Sequence, residues 1–450
     1  MGAERVDVIV VGGGTAGCSF VSYLSEVSDA SVSLFEAGPS VASHPSNLFA
    51  SMARSGVMDT SLGATANEKG DSYEYLQAQV LGGGSAINGL IALRGAIDDF
   101  NEWCEFDGLT DWSWERVEPW FERVDTPTSL IEESTRESVT QLLRDSWPTS
   151  LPVPLAVVGG LRQSSDGVRF AAARASGRVS IRTHSRVERV LFDGARATAV
   201  ELADGSRHEA TCIVLCAGAL RSPVLLRRSG VDIEGLGENL QDHPSVMFAA
   251  KRRAPFSGDF PITRYVPIKF EQAGDAPDVA HVLAYEQIDS HAEMGGIGVS
   301  LMDVYSRGEL VEVGNGKWKA DFRCLSDGRD LQAMAQVIRE TASDLASADL
   351  GSAFEAGDAL RLASDMQSLA DMTDQLLAEW LRSHVRTLSH AAGTCAMGVV
   401  CDAKGQVTDI DGLWVADASL MPRIVRANTN ETVAMMATRV AQFVADTLGG

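Results

Sequence analysis

Asp7-Val8-Ile9-Val10-Val11-Gly12-Gly13-Gly14-Thr15-Ala16-Gly17 is the stretch that decides the fold. Asp7 to Val11 has the Val and Ile content of a parallel strand buried on both faces. It runs straight into GxGxxG, after which Ala16, Phe20 and Leu24 recur at helical spacing. Ser31 to Glu36 reads as a second strand that ends in an acid, 24 residues beyond Gly12. Gly12 permits the tight turn, Gly14 lets backbone approach a pyrophosphate, and Gly17 lets helix and strand pack closely. Thr15 and Ala16 open the helix, whose N-terminus offers free N–H groups and a positive dipole end to phosphate. Glu36, followed by Ala37, stands where a carboxylate accepts from ribose hydroxyls and disfavours a 2′-phosphate. Strand, glycines, helix, strand and acid in this order predict a dinucleotide site, but the pattern does not separate FAD from NAD.

A second glycine cluster follows at Gln79-Val80-Leu81-Gly82-Gly83-Gly84-Ser85-Ala86-Ile87-Asn88-Gly89. Apolar Leu81, Ile87, Leu90 and Ile91 are interleaved with it, which predicts a buried turn closing on a flat or charged ligand. Leu81, Gly83 and Asn88 are its candidate ligand-facing residues. A second dinucleotide motif is absent, since Gly159-Gly160 lacks the spacing.

The chain of 450 residues has 61 Asp and Glu against 38 Lys and Arg, a net charge of −23. So acidic a protein repels phosphate backbones and anionic lipid, which excludes nucleic acid as its partner. Its 45% apolar content is enough for a large core, and a prior of two or three domains follows from the length. Unbroken apolar runs reach only about six residues, against the roughly 20 needed to span a bilayer. No apolar stretch of signal-peptide length precedes the first glycines, so a cytoplasmic enzyme is expected. The seven cysteines are scattered with no CxxC pair and read as buried small hydrophobes, not as disulfides or a zinc site.

Beyond these patterns lies a resemblance. VLGGGSAINGLIALRGAIDDFNEW, starting at Val80, resembles the first signature of the glucose–methanol–choline (GMC) oxidoreductases. Ala217-Gly218-Ala219-Leu220-Arg221-Ser222-Pro223 is similar to the second, and Gly237-Glu238-Asn239-Leu240-Gln241-Asp242-His243-Pro244 to the segment after it. His390-Ala391-Ala392-Gly393-Thr394-Cys395-Ala396-Met397-Gly398 looks like the catalytic histidine block. Gly412 to Pro422 with Asn428-Thr429-Asn430 looks like the C-terminal flavin block.

The resemblance implies an α/β fold: a doubly wound, Rossmann-like FAD-binding domain with a discontinuous α+β substrate domain built on an antiparallel sheet. Residues 1–125, 180–245 and 398–450 are assigned to the first, and 126–179 and 246–397 to the second. It implies an FAD-dependent oxidoreductase that takes a proton and a hydride from an alcohol and passes electrons to O₂, a quinone or a redox protein. The alternatives are a non-redox member such as a hydroxynitrile lyase, or a flavoprotein that hands electrons to a partner. Val187 is implied at the adenine, and Ala217, Asp417 and Ala418 along the flavin. A carboxylate such as that of Asp417 beside a pyrophosphate must accept from ribityl hydroxyls or backbone N–H. No metal is implied.

Alcohol oxidation needs a base within hydrogen-bond reach of the hydroxyl. Of eight histidines, the resemblance selects His390 as that base. His384 reads as packed or at the surface, and His243 as structural. The family's second catalytic position, His or Asn, falls on Asn430, which would orient the substrate and could also cap the last helix. Ile87 stands where some relatives carry a flavin-linked histidine, so FAD is expected to be non-covalent. Glu431 is expected to face solvent as an ordinary acid in the first turn of that helix. The chain is short for the family, and the contraction falls around 40–75 and 125–175.

Overall fold

The structure, a computed structural model, describes residues 5–449 apart from 55, 125, 131–137, 149, 151, 256–268, 272–279, 289 and 291; His291 thus lies outside the described residues. The predicted first strand is Val6–Val11 and the predicted second is Val32–Phe35, with the helix Thr15–Val27 between them. They stand in a seven-stranded sheet in the order 187–193, 196–202, 207–215, 6–11, 32–35, 179–182, with Leu413–Val415 pairing the far half of Arg207–Leu215. The strands at its centre are parallel, and their carboxyl halves, 8–11, Val32–Phe35 and 212–215, are buried, which is why these stretches read as apolar runs.

The register fixes the functional edge. Val11 lies opposite Phe35 and Leu215, and Leu215 opposite Val415. Four strands therefore end level, and Gly12, Glu36, Cys216-Ala217 and Ala416-Asp417 emerge together at the carboxyl edge. That edge is where ligands bind in open α/β sheets.

The first helix is flanked by Ser165–Ser176 and by the C-terminal helix Thr429–Leu448. Phe170 and Ala173 share one core with Ile9, Phe20 and Leu34. The segment 165–176 therefore packs with the first lobe, although the sequence division put it in the second. Conversely, Gly63–Thr65 pairs in parallel with Lys317–Asp321, so part of the predicted first lobe is added to a second-lobe sheet. The reason is the same in both cases. A segment joins the layer that covers its apolar face, whatever its place in the chain.

The second lobe is an antiparallel sheet in the order 269–271, 280–285, 294–301, 244–251, 386–387. Helices Gly328–Ala346, Ala356–Asp371 and Asp374–His384 cover it with Met334, Ile338, Leu362, Met366, Leu377 and Leu381. Asp327 caps the first of these by accepting from the Arg329 N–H, and Thr373 caps the third through Leu376. The seven cysteines are free, six of them buried. Among the described residues, no helix is long and apolar enough to cross a membrane.

Candidate active site

A cavity of about 630 Å³ opens along the level strand ends and runs between the two lobes. At one end it is made of backbone. Gly12 adopts φ +103°, and a Cβ there would lie 2.5 Å from the Cys216 carbonyl oxygen. A Cβ on Gly17 would lie 2.0 Å from the Gly12 oxygen, so the third glycine serves packing and does not line the cavity. Gly14 is the N-cap of the first helix, with no capping side chain and no acid in the first turn. The two glycine clusters touch: Gly82 N donates to the Gly13 oxygen at 2.8 Å, and a Cβ on Gly83 would lie 2.5 Å from Gly14 Cα. Thr15, Ala16 and Gly83 line the cavity as expected, whereas Leu81 packs beneath Gly13 and does not reach it. An uncapped helix N-terminus between two glycine turns can cradle a diphosphate.

Glu36 is buried and faces the cavity beside Ala37. Its Oε2 accepts from Gly13 N and its Oε1 from Gly38 N, both at 2.8 Å. Burial raises its pKa, and those donors oppose the rise. Val187 lines the same end with Ser185 and Arg186. The guanidinium of Arg186 donates to Gln79, and that of Arg221 to Asp59 at 2.6 Å. Ala217 and Ala418 line the middle. Asp417 lies there too, but its carboxylate is spent on the protein: Oδ2 accepts from Gly218 N at 2.8 Å and Ser222 Oγ at 2.5 Å, Oδ1 from Ser419 N at 2.9 Å. Of the two partner types expected for it, ribityl hydroxyl or backbone N–H, Asp417 takes backbone N–H, together with the hydroxyls of Ser222 and Ser419, and so holds the 217–222 turn.

Asn88 lines the cavity, and the residue that fixes it, Arg162, escaped the sequence reading. The buried guanidinium of Arg162 donates to Asn88 Oδ1 at 2.8 Å, Asn88 O at 2.9 Å, Ser85 O at 3.1 Å, Pro45 O at 2.8 Å and Ser46 O at 3.2 Å. All five acceptors are neutral. Burial therefore pulls its pKa down to about 9.

The far end is made of side chains. His390 faces the cavity, its Nδ1 2.9 Å from His243 Nδ1 and its Nε2 3.3 Å from Asn428 Nδ2. Its backbone N–H donates to both oxygens of Asp242 at 3.0 Å, and Tyr75 Oη donates to the same carboxylate at 2.9 Å. Asp242, His243 and His390 are close enough to suggest metal ligands. The Asp242 oxygens already accept from His390, Tyr75, His243 N and Leu388 N, however, and the two imidazoles bond each other. Burial lowers His390 to about 4 and His281 to about 3, and lifts Asp242 to about 7 against its donors.

Two expectations at this end need correction. Asn430 lines the cavity, but its amide turns away from His390: Oδ1 accepts from Thr15 Oγ1 at 2.8 Å and Nδ2 donates to Glu431 at 2.9 Å. The amide beside His390 belongs to Asn428. The helix starts at Thr429, so Asn428 still lies in extended chain and points into the cavity, while Asn430 is already wound into the first turn. Glu431 does not face solvent. It is buried and accepts from Thr126 Oγ1 at 2.8 and 3.0 Å, which in turn receives Arg169 Nη2 at 2.8 Å. His384 is a surface residue stacked on Trp380, as expected.

A backbone cradle with a buried carboxylate beside it, and a histidine–amide pair at the far end of the same cavity, are the arrangement that a dinucleotide-dependent oxidoreductase of alcohols requires. Residues 6–157, 152–245 and 305–437 match the GMC oxidoreductase family, and the chain belongs to it. Its cofactor is FAD. It is 27% identical over 540 aligned residues to the oxygen-dependent choline dehydrogenase of Pectobacterium atrosepticum, covering 97% of this chain and 94% of the relative. It is 25% identical to that of Escherichia coli O6:K15:H31, covering 98% and 95%. Among solved structures it resembles pyridoxine 4-oxidase from Mesorbium loti (TM-score 0.79, 21% identity, 98% and 99% of the two chains). It also resembles the formate oxidase of Aspergillus oryzae RIB40 (TM-score 0.79, 18% identity, 99% and 98%).

Proposed function

We propose that the alcohol oxidised here is neutral and carries an apolar group, with His390 as base and Asn428 as its orienting partner. Bound FAD supplies the hydride acceptor. The chain supplies the rest: the glycine cradle and Glu36 hold the dinucleotide, His390 Nε2 accepts the hydroxyl proton, and the Asn428 amide donates to the same oxygen as negative charge builds on it.

The wall beside the histidine carries the argument about substrate. Strand Ala280–Tyr285 alternates, so His281, Leu283 and Tyr285 share a face. Leu283 and Tyr285 line the cavity with Leu90, Ile91 and Leu388. Of the charged lining residues, Glu36 and Arg186 are bonded to Gly13 and Gln79 of the glycine segments, Arg221 is paired with Asp59, and Asp417 in the middle is taken up by Gly218 and Ser222. A quaternary ammonium wants a carboxylate or an aromatic cage. Among the described residues this wall presents no carboxylate to the cavity, and its aromatic rings are those of Tyr75 and Tyr285, the first held by Asp242. We therefore infer that choline, which names the curated relatives, is a weaker fit than an apolar alcohol.

The test is anaerobic bleaching of the holoenzyme by an alcohol panel. Benzyl alcohol and hexanol are expected to reduce the flavin at lower concentration than choline. Choline as the best reductant would overturn the substrate reading. Reoxidation with air, a soluble quinone or a redox protein then identifies the acceptor.

A further inference from the structure

The two imidazoles at the end of the cavity are joined through like atoms, Nδ1 to Nδ1 at 2.9 Å. One of those nitrogens must carry a hydrogen and the other must not. The structure decides which. His243 Nε2 lies 3.0 Å from the Val425 carbonyl oxygen, and a carbonyl can only accept, so His243 Nε2 is protonated. His243 is fully buried, and burial with His390 and His281 nearby holds it neutral. A neutral imidazole protonated on Nε2 has a bare Nδ1. The hydrogen between the rings therefore sits on His390 Nδ1. Neutral His390 is left with its lone pair on Nε2, the nitrogen that faces Asn428.

We propose that His243 is a positioning residue that fixes the tautomer of His390, so that its basic nitrogen faces the cavity. An imidazole free to choose would hold some of its population with Nε2 protonated, and that form cannot take a hydroxyl proton. Val425, whose carbonyl starts the relay, lies three residues before Asn428. Its neighbour Arg426 is clamped by Asp99, whose Oδ2 accepts the Arg426 N–H at 2.9 Å. The same loop thus sets the proton on His243 and carries the amide that meets the substrate.

When His390 takes the alcohol proton on Nε2 it holds hydrogens on both nitrogens. The charge is met by the bare Nδ1 of His243, which accepts a charge-assisted hydrogen bond. The proton donated is the alcohol's and the hydride goes to the bound cofactor, so no further reactant is needed. The tautomer assignment stands on the hydrogen-bond geometry together with the neutrality of the fully buried His243; its consequence for rate rests on the reading of His390 as base.

The experiment uses ¹⁵N-labelled holoenzyme at pH 7.5 and long-range ¹H–¹⁵N spectra of the histidine rings, with His390→Gln to assign the His390 signals. The expected result is His390 protonated on Nδ1 and His243 on Nε2. A His390 ring protonated on Nε2 would overturn the proposal. His243→Phe removes the acceptor. It is expected to retain FAD, to shift His390 toward the other tautomer, and to slow flavin reduction by about a hundredfold. His243→Gln can donate to Val425 and accept from His390, and is expected to restore both tautomer and most of the rate. If His243→Phe does not fold, His243→Gln and the wild-type spectra still decide. Wild-type rates in His243→Phe, or no rescue by Gln, would also overturn it. Unchanged reduction by His390→Ala would remove the base reading while leaving the spectra to judge the tautomer.

Discussion

The two ends of the cavity are built by opposite means. The dinucleotide end is backbone: an uncapped helix N-terminus and two glycine turns so close that any Cβ on Gly12 or Gly83 would strike a main-chain atom. The histidine end is side chains brought from residues 75, 242–243, 390 and 428, with the Val425 carbonyl, joined by hydrogen bonds between segments distant in the chain. A diphosphate needs many weak donors at fixed positions, which consecutive residues of one turn can supply. A proton transfer needs one lone pair aimed at one atom, and that takes several elements to brace.

Mutations at the two ends should therefore fail differently. A Cβ on Gly14 would lie 3.6 Å from Gly83 Cα, so the further branched carbons of Gly14→Val fill the cradle. The substitution is expected to abolish FAD binding, read as flavin absorbance per protein; stoichiometric flavin would refute the cradle. At the other end cofactor should remain and rate should go. Asn428→Ala is expected to lower flavin reduction about a hundredfold, and Asn430→Ala only a few-fold, since Asn430 is engaged with Thr15 and Glu431. The reverse order would restore Asn430 to the role the sequence gave it. Arg162→Met leaves several buried acceptors around the Asn88 turn without donors, and is expected to cost about 3 kcal/mol of stability with weaker FAD binding. Urea unfolding with and without added FAD measures both. The smallest effect is on pH. His390 is held neutral down to about 4 by burial, with neutral His243 and His281 around it; Asp242, lifted to about 7, meets the backbone N–H of His390 and not its ring. A base is lost as pH falls through its pKa, so the reduction rate is expected to be flat from pH 8 to 5. A histidine at its ordinary value of about 6.5 would be half protonated at that pH and almost wholly protonated at pH 5, and a fall centred near 6.5 would contradict the assignment.

What could be read from the chain follows the same division. Gly12, Gly14, Thr15, Ala16, Glu36, Gly83 and Asn88 reach the cavity, and each stands in a short glycine turn or at a strand end that the sequence pattern marks. Gly17 and Leu81 belong to the motif yet pack behind it. The histidine block was legible through its resemblance to a family, but its partners were not. Asn428 and Asn430 differ by two positions, and only the point where the helix begins decides which faces His390. Glu431 reads as a solvent-facing acid until Thr126, over three hundred residues away, is placed against it. Arg162 lies in a short hairpin with no motif around it, and its role appears only when the loops at 45–46 and 85–88 converge on it. The lobe boundaries misled for a related reason, since residues 165–176 pack with the first helix.

The central claim is that His390 takes the substrate proton at the end of a cavity that holds FAD independently of it. Anaerobic stopped-flow reduction of His390→Ala holoenzyme by the best alcohol of the panel tests it most directly. Full flavin occupancy with reduction slowed by about a thousandfold is the predicted result. Reduction at the wild-type rate, with flavin fully bound, would contradict it.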